Sequence, residues 1–256
     1  MFTQVKTDTE IKHMRESGKI LATVHQLLRN KVAPGVSTKQ LADIARDELK
    51  RLGGKPSFLG YPGGSDSFPD VLCVSINEEV VHGIPRANRV IEEGDIVSMD
   101  FGVTYKGMIT DSAISVIAGN AKKPSVTRLI KDTEASLLAG IDVVRDGVRV
   151  GDIGFAVQQS LERGGYGIVR DLVGHGVGHK LHEEPNIPNY GLQNTGPTLQ
   201  AGMTIAIEPM ATLGAHHVVM AEDGWTVVTA DGSLAAHFEH SVLITDDGYE
   251  ILTTLS

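Results

Sequence analysis

Apolar residues recur at helical spacing in four segments of the chain. In residues 9 to 30 the apolar positions fall three, four or seven apart, which predicts an amphipathic helix through Ile11, Met14, Leu21, Val24 and Leu28. Residues 37 to 52 carry a second stripe, formed by Leu41, Ile44, Ala45, Leu49 and Leu52. Residues 124–144 and 152–163 show weaker stripes of the same kind. Two helices are therefore predicted in each half of the chain.

The second predicted helix also carries signals for its two ends. Ser37 precedes the apolar stripe, and Gln40 follows three positions later, which is the pattern of a capping box. Gly53 comes directly after the last apolar residue, where glycine commonly ends a helix.

The chain repeats part of its own pattern. Gly35-Val36 and the apolar stripe after it match Gly147-Val148 and its stripe, 112 residues further along. A glycine and an apolar run also lead to Asp100 and, 108 residues later, to Glu208. Two amphipathic helices can match by chance, but the matched acidic ends favour duplication. We therefore predict one catalytic domain over residues 1–256, built from internal halves of roughly 1–120 and 121–256.

Three carboxylates lie where apolar strands are predicted to be buried. Asp100 and Glu208 each end an apolar run, and Glu239 directly precedes another. An unpaired buried carboxylate costs several kcal/mol, so these groups need a cation, a proton or strong hydrogen-bond donors. A turn at residues 105–107 would bring Asp111 to the same side of a hairpin as Asp100, and a divalent metal would relieve their repulsion. Alternatively, Asp111 is a surface residue at the edge of that turn.

A histidine cluster follows in the second half, at Gly174-His175-Gly176-Val177-Gly178-His179. The four-residue spacing of the two histidines resembles that of zinc peptidases with a helical ligand pair. The three glycines make a helix unlikely to form, and no glutamate follows His175, so that class is excluded.

Composition narrows the class of protein. The chain has 256 residues, of which 41% are hydrophobic and 21% are charged, as in an ordinary soluble globular protein. The net charge of −9 argues against general nucleic-acid binding, and no run approaches the length of a membrane helix. The single cysteine, Cys73, suits a reducing compartment, and the first residues do not form a secretory signal, which predicts a cytoplasmic location.

In these features the chain resembles the type I methionine aminopeptidases of the short bacterial type, in the pita-bread metallopeptidase family. The similarity spans essentially the whole sequence. Its most specific segments are residues 75–85, Asp100-Phe101-Gly102 with Asp111, residues 174–185, Glu208-Pro209 and Glu239-His240. The resemblance implies an α+β pita-bread fold, with pseudo-two-fold duplicated halves and a central antiparallel sheet covered by helices.

The resemblance also implies the roles of the candidate site residues. The implied metal ligands are Asp100, Asp111, His175, Glu208 and Glu239, with Asp100 and Glu239 bridging two ions. Four carboxylates and a neutral imidazole carry a charge of −4, which two divalent ions offset, and the oxygen-rich set favours Co, Mn, Fe(II) or Zn. A hydroxide shared by the ions would attack the first peptide bond, with Glu208 as proton shuttle. His82 and His182 would act on the substrate near the scissile bond.

The same resemblance implies a pocket for the methionine side chain. The matching positions are Phe58, Tyr61, Phe68, Cys73 and Trp225. Phe58 is equally well explained as an ordinary core residue. Two departures from the family pattern lie near this pocket, namely the longer loop at residues 62–67 and Leu181, where the family often has phenylalanine.

The implied substrates are the N-termini of nascent polypeptides with a small second residue. The resemblance also implies that the enzyme is a monomer and contacts the ribosome.

Three alternative functions share this fold. An Xaa-Pro peptidase would use the same metal ligands but usually carries an extra N-terminal domain. A non-catalytic binding protein and a metal-free amidinohydrolase would both lack the ligand set that this chain has.

Overall fold

The computed structural model of the protein describes residues 2–63 and 66–255. In this part of the chain the helices are α1 (Asp8–Arg29), α2 (Thr38–Leu52), α3 (Pro124–Ile141) and α4 (Val150–Gly164). All four helices predicted from apolar periodicity are present, with ends that differ by at most three residues.

The strands of the described residues come in two groups, each of which follows a pair of helices. They are β1 (Lys55–Pro56), β2 (Cys73–Ile76), β3 (Glu79–Val81), β4 (Ile96–Tyr105), β5 (Met108–Ile117), β6 (Gly167–Ile168), β7 (Gly174–Gly176), β8 (Glu183–Ile187), β9 (Thr204–Ile207), β10 (Met210–Thr212), β11 (Val218–Met220), β12 (Val227–Thr229), β13 (Ala235–His237), β14 (Glu239–Ile244) and β15 (Tyr249–Ile251).

A central antiparallel sheet organises the fold. Its strand order is β1-β4-β5-β14-β9-β7-β8, with β2 paired to β4 and β15 paired to β14. Strands β5 and β14 are neighbours, so the hairpin of the first half joins the C-terminal strands of the second. There are also two separate three-stranded sheets in the described residues, with strand orders β13-β10-β6 and β11-β12-β3. This is the α+β pita-bread architecture, as predicted.

The ends of α2 form as the sequence predicts. The hydroxyl of Ser37 accepts a hydrogen bond from the backbone N–H of Gln40 at 3.2 Å, and the Gln40 side chain accepts the Ser37 N–H at 2.8 Å. Gly53 ends the helix with φ of 78°, a left-handed conformation that glycine adopts without strain. Helix α1 begins with a capping box of its own, between Thr7 and Glu10.

The repeated sequence segments adopt matching conformations. The backbone N–H groups of Gly35 and Gly147 donate to the carbonyls of Ile91 and Leu199, each at 2.9 Å. Those two acceptor residues are themselves 108 positions apart, which agrees with the offset found for the strands. The division of the chain near residue 120 stays a prediction, and these paired contacts support it.

Each half also has its own hydrophobic core. One core packs α1 and α2 against β2 and β4, with Leu21, Leu41 and Met99 among its buried members. The other packs α3 and α4 against β9 and β14, with Leu129, Ile153 and Ile205. No helix within the described ranges is both long and apolar enough to cross a membrane.

Candidate metal centre

Strands β4 and β5 form the hairpin that positions the first two carboxylates. Its turn is made by Lys106 and Gly107, both with positive φ, the conformation of the tight turns that join antiparallel strands. Asp100 pairs with Ala113 and Asp111 pairs with Gly102, so the two aspartates are diagonal neighbours on one face of the sheet. Both are buried, and Asp111 is not a surface turn residue.

The remaining candidate ligands come from strands β7, β9 and β14. His175 lies on β7, Glu208 follows β9, and Glu239 begins β14 opposite Ala113. The His175 Nε2 atom lies 4.0 Å from an oxygen of Asp111, 3.6 Å from one of Glu208 and 4.0 Å from one of Glu239. Ligand atoms of Asp111, His175 and Glu239 all lie within 4.8 Å of one another. The arrangement can therefore hold a metal ion.

Burial and mutual repulsion govern the charge of this cluster. Burial raises the pKa of Asp111 to about 7. Burial, followed by the charges of neighbouring carboxylates, raises the pKa values of Asp100, Glu208 and Glu239 well above their usual range. Within the described residues, one oxygen of Asp100 and one of Glu239 are buried without a hydrogen-bond partner. Acidic groups in this state need either protons or a cation, and two orphaned oxygens are available as metal ligands.

His82 and His182 line the same cleft as the carboxylates. His82 follows β3 with φ of 59°, a strained conformation for a non-glycine residue that is often found at functional sites. Burial, together with the charge of His182, lowers the pKa of His82 to about 4. Burial also lowers the pKa of His182. Both imidazoles are thus neutral near pH 7 and can form hydrogen bonds with a substrate without carrying charge.

An apolar recess adjoins the carboxylates. It belongs to a cavity of about 160 Å³, and its aromatic and sulfur-bearing walls are Phe58, Tyr61, Phe68, Cys73 and Trp225. The Phe68 and Trp225 rings meet edge to face, with centroids 5.3 Å apart. Leu181 also lines this cavity. Of the unusual loop at residues 62–67, Gly64 and Ser65 lie outside the described residues. Every site residue predicted from the sequence therefore borders one cleft.

One residue beside the cluster, His237, was not predicted from the sequence. His237 is buried, and its Nε2 atom lies 3.6 Å from an oxygen of Glu208. Neither of its ring nitrogens has a hydrogen-bond partner among the described residues. Burial, followed by the nearby His82, lowers its pKa to about 3. One available signal was its position two residues before Glu239, which the alternation of extended backbone directs to the same face.

Comparisons with known proteins agree with this geometry. The model of the metallopeptidase family M24 matches residues 12–246. Methionine aminopeptidase from Clostridium acetobutylicum is 46% identical over 249 residues, covering 97% of this chain and 98% of the relative. Methionine aminopeptidase from Aquifex aeolicus is 46% identical over 259 residues and covers all of both chains.

Solved structures give the same result for the fold. The crystal structure of methionine aminopeptidase from Thermotoga maritima superimposes with a TM-score of 0.96 at 43% identity, covering 99% of this chain and 100% of that one. Prolidase from Pyrococcus furiosus has a TM-score of 0.76 at 20% identity, and the match covers 98% of this chain but 66% of that one. The second similarity establishes the shared fold only.

Proposed function

Because the chain belongs to metallopeptidase family M24, we propose that it is a methionine aminopeptidase that removes the first methionine from peptides and newly made proteins. The observation that carries this proposal is the convergence of four carboxylates and one imidazole beside an apolar recess. The full-length identity of 46% to methionine aminopeptidases supports the same substrate.

The donor set fits divalent metal ions. We assign Asp100, Asp111, His175, Glu208 and Glu239 as the ligands, with two ions per chain drawn from Co, Mn, Fe(II) or Zn. Asp100 and Glu239 each have one buried oxygen without a hydrogen-bond partner among the described residues, and these oxygens would be free to hold the ions. Ions bound there would supply an activated water as nucleophile and would polarise the carbonyl of the first peptide bond.

The chain's own residues then handle the substrate and its protons. Glu208 lies at the edge of the cluster, with one oxygen facing His175 and the other facing His237. In this position it can accept a proton from the attacking water and pass it to the leaving amine. His82 and His182 lie on the cleft side of the cluster and would bind the substrate backbone around the scissile bond.

The recess would hold the methionine side chain. Phe68, Cys73 and Trp225 offer aromatic edges and a sulfur atom to a thioether, a contact that is favourable by roughly 0.3–1.5 kcal/mol. Tyr61 lines the recess next to His182. The limited volume of the recess favours an unbranched side chain, and a small second residue would fit the mouth of the cleft most easily.

Nascent N-termini are the substrates that this activity implies. They place the enzyme in the cytoplasm, in reach of the ribosome, and the single buried Cys73 suits that reducing environment.

Methionine release from the tripeptide Met-Ala-Ser tests the proposal directly. Protein supplied with Mn²⁺ should release methionine, a chelator should abolish the release, and added Mn²⁺ should restore it. An Ala-Pro-Ser peptide serves as the matched substrate for an Xaa-Pro enzyme and should stay intact. Cleavage of the proline peptide in preference to Met-Ala-Ser, or release that a chelator leaves unchanged, would contradict the proposal.

A further inference from the structure

Charged side chains hold the backbone of the loop that carries His182. One oxygen of Glu183 accepts the backbone N–H groups of His179 and Lys180, at 2.8 and 2.9 Å. The other oxygen lies 3.5 Å from the buried ammonium of Lys6. His179 also contacts Glu10 of α1 at 2.7 Å. The backbone on either side of His182 therefore has little freedom. The orientation of the His182 ring then depends on the side chains that contact it within the cleft.

The hydroxyl of Tyr61 contacts the His182 ring within the cleft. The Tyr61 Oη atom lies 2.6 Å from His182 Nδ1, and the two rings meet edge to face with centroids 5.1 Å apart. A phenol is the more acidic partner of the two and donates its proton to a neutral imidazole nitrogen. Nδ1 is then the acceptor, so the ring proton lies on Nε2.

We propose that Tyr61 is a positioning residue that holds His182 in its Nε2–H tautomer, so that this N–H is presented to the carbonyl oxygen of the scissile peptide bond. The inference rests on the function proposed above and extends the role of Tyr61 beyond a wall of the methionine recess. His182 lines the cleft, and Tyr61 is the one hydrogen-bond partner of its ring among the described residues, which leaves Nε2 available to a substrate.

The tautomer decides what His182 can do for the reaction. With the proton on Nε2, the imidazole donates to the carbonyl oxygen, and this hydrogen bond strengthens as negative charge develops on that oxygen. The proton stays on Nε2 throughout, so no transfer to or from His182 is needed. With the proton on Nδ1, the nitrogen facing the substrate would be a lone pair, which repels the same oxygen.

The tautomer can be read by ¹⁵N NMR of histidine-labelled protein in the absence of substrate. The chain has 10 histidines, and the signals of His182 are identified by their loss in His182→Ala. The wild-type protein should show Nδ1 as the bare, hydrogen-bonded nitrogen and Nε2 as protonated. Tyr61→Phe keeps the ring but loses the hydroxyl, and it should give a mixture of both tautomers. Tyr249→Phe, which removes a hydroxyl bonded to Asp142, is the matched control and should leave the His182 signals unchanged.

Kinetics of methionine release separate positioning from a merely structural role. Tyr61→Phe should lower kcat on the order of 10-fold, the lower end of the loss seen when an oriented histidine loses its partner. Its KM should change less than twofold, because the ring that contacts methionine is kept. In a His182→Ala background the same substitution should have no effect on kcat.

Unchanged His182 tautomer signals in Tyr61→Phe would overturn the inference, as would an undiminished effect of that substitution in the His182→Ala background. Because the NMR measurement needs no substrate, it stands apart from the proposed activity. A wild-type protein that shows the Nε2–H tautomer but releases no methionine would contradict the function and not the hydrogen bond.

Discussion

Single residues of the centre are governed by the cost of burying charge. Asp100 and Glu239 are almost fully buried, and each has an oxygen without a hydrogen-bond partner in the part of the chain that the structure describes. Such an arrangement is unfavourable for an isolated protein, because ionised carboxylates lose their hydration on burial. The same arrangement favours a bound cation, which replaces the protons that the raised pKa values would otherwise keep on these groups.

A buried histidine behind the centre links stability to pH. The ring of His25 packs edge to face on Phe101, and its Nε2 atom lies 2.9 Å from the Ser112 carbonyl. Burial lowers its pKa to about 4 from an ordinary value of 6.5. Below pH 6.5 the unfolded chain therefore binds a proton at this position that the folded chain excludes. The stability associated with neutral His25 is present above pH 6.5 and is lost as the pH falls toward 4.

Substitution of His25 by glutamine should make the free energy of unfolding fall less steeply as the pH is lowered. Between pH 6.5 and 4.5 the wild-type free energy of unfolding should fall by about 2 kcal/mol more than that of His25→Gln, since each unit of pKa shift corresponds to about 1.4 kcal/mol. Urea unfolding with chelator present at each pH measures the difference. Parallel pH profiles for the two proteins would show that His25 is not excluded from titration by folding.

The sequence predicted the candidate ligands of the site, but it predicted only some of the residues that surround them. Asp100 and Glu208 stood out because a carboxylate at the end of an apolar run needs a partner. His237 did not, because Ala-Ala-His-Phe is typical of an ordinary buried strand, and its approach to Glu208 depends on the pairing of β10 with β13. Its one local signal was its position two residues before Glu239, and the long-range strand pairing itself leaves no local pattern.

At the scale of elements, helix ends follow local rules closely. The ends of α2 are set by the Ser37 and Gln40 capping box and by Gly53, all of which are signals within a few residues. Helix α3 ends three residues before the predicted limit of 144, and no glycine marks its end. The strands β6, β7, β8 and β10 to β13 have two to five residues each, which is too short for a reliable prediction from local pattern. Some of them pair with a nearby strand, as β11 does with β12, and others with a distant one, as β6 does with β10.

The capping box of α2 should contribute measurably to stability. Ser37→Ala removes the acceptor for the Gln40 N–H and should lower the free energy of unfolding by about 1 kcal/mol. Ser160→Ala, inside α4, is the matched control and should change stability by a few tenths of a kcal/mol, because alanine suits a helix interior. Urea denaturation of the three proteins makes the comparison. Equal stabilities for Ser37→Ala and Ser160→Ala would contradict the capping role.

At the scale of the whole molecule, the halves are joined through the centre they share. The hairpin β4–β5 supplies Asp100 and Asp111, while β7, β9 and β14 of the other half supply the remaining candidate ligands. The sequence repeats matched the acidic strand ends of the two predicted halves, and these ends lie together in the cluster. The repeats could not predict the contact made by the segment before α1. In that segment Lys6 reaches Glu183, which lies 177 residues further along the chain.

Breaking the buried Lys6–Glu183 pair should destabilise the molecule far more than breaking a surface pair. Both side chains are buried, with exposed fractions of 0% and 1%. Glu183→Gln leaves the ammonium buried without its counter-charge and should cost about 3–5 kcal/mol. The matched control is Glu250→Gln, which breaks the exposed pair with Arg15 and should cost less than about 1 kcal/mol. Urea unfolding compares the two variants, and similar losses would show that burial of the pair contributes nothing extra.

The central claim is that the acidic cluster binds divalent ions, and an anomalous-difference map from crystals grown with Mn²⁺ tests it most directly. The account predicts two strong peaks enclosed by Asp100, Asp111, His175, Glu208 and Glu239, next to the apolar recess. A map with no peak in this cleft, or with its peaks on other residues, would contradict the account.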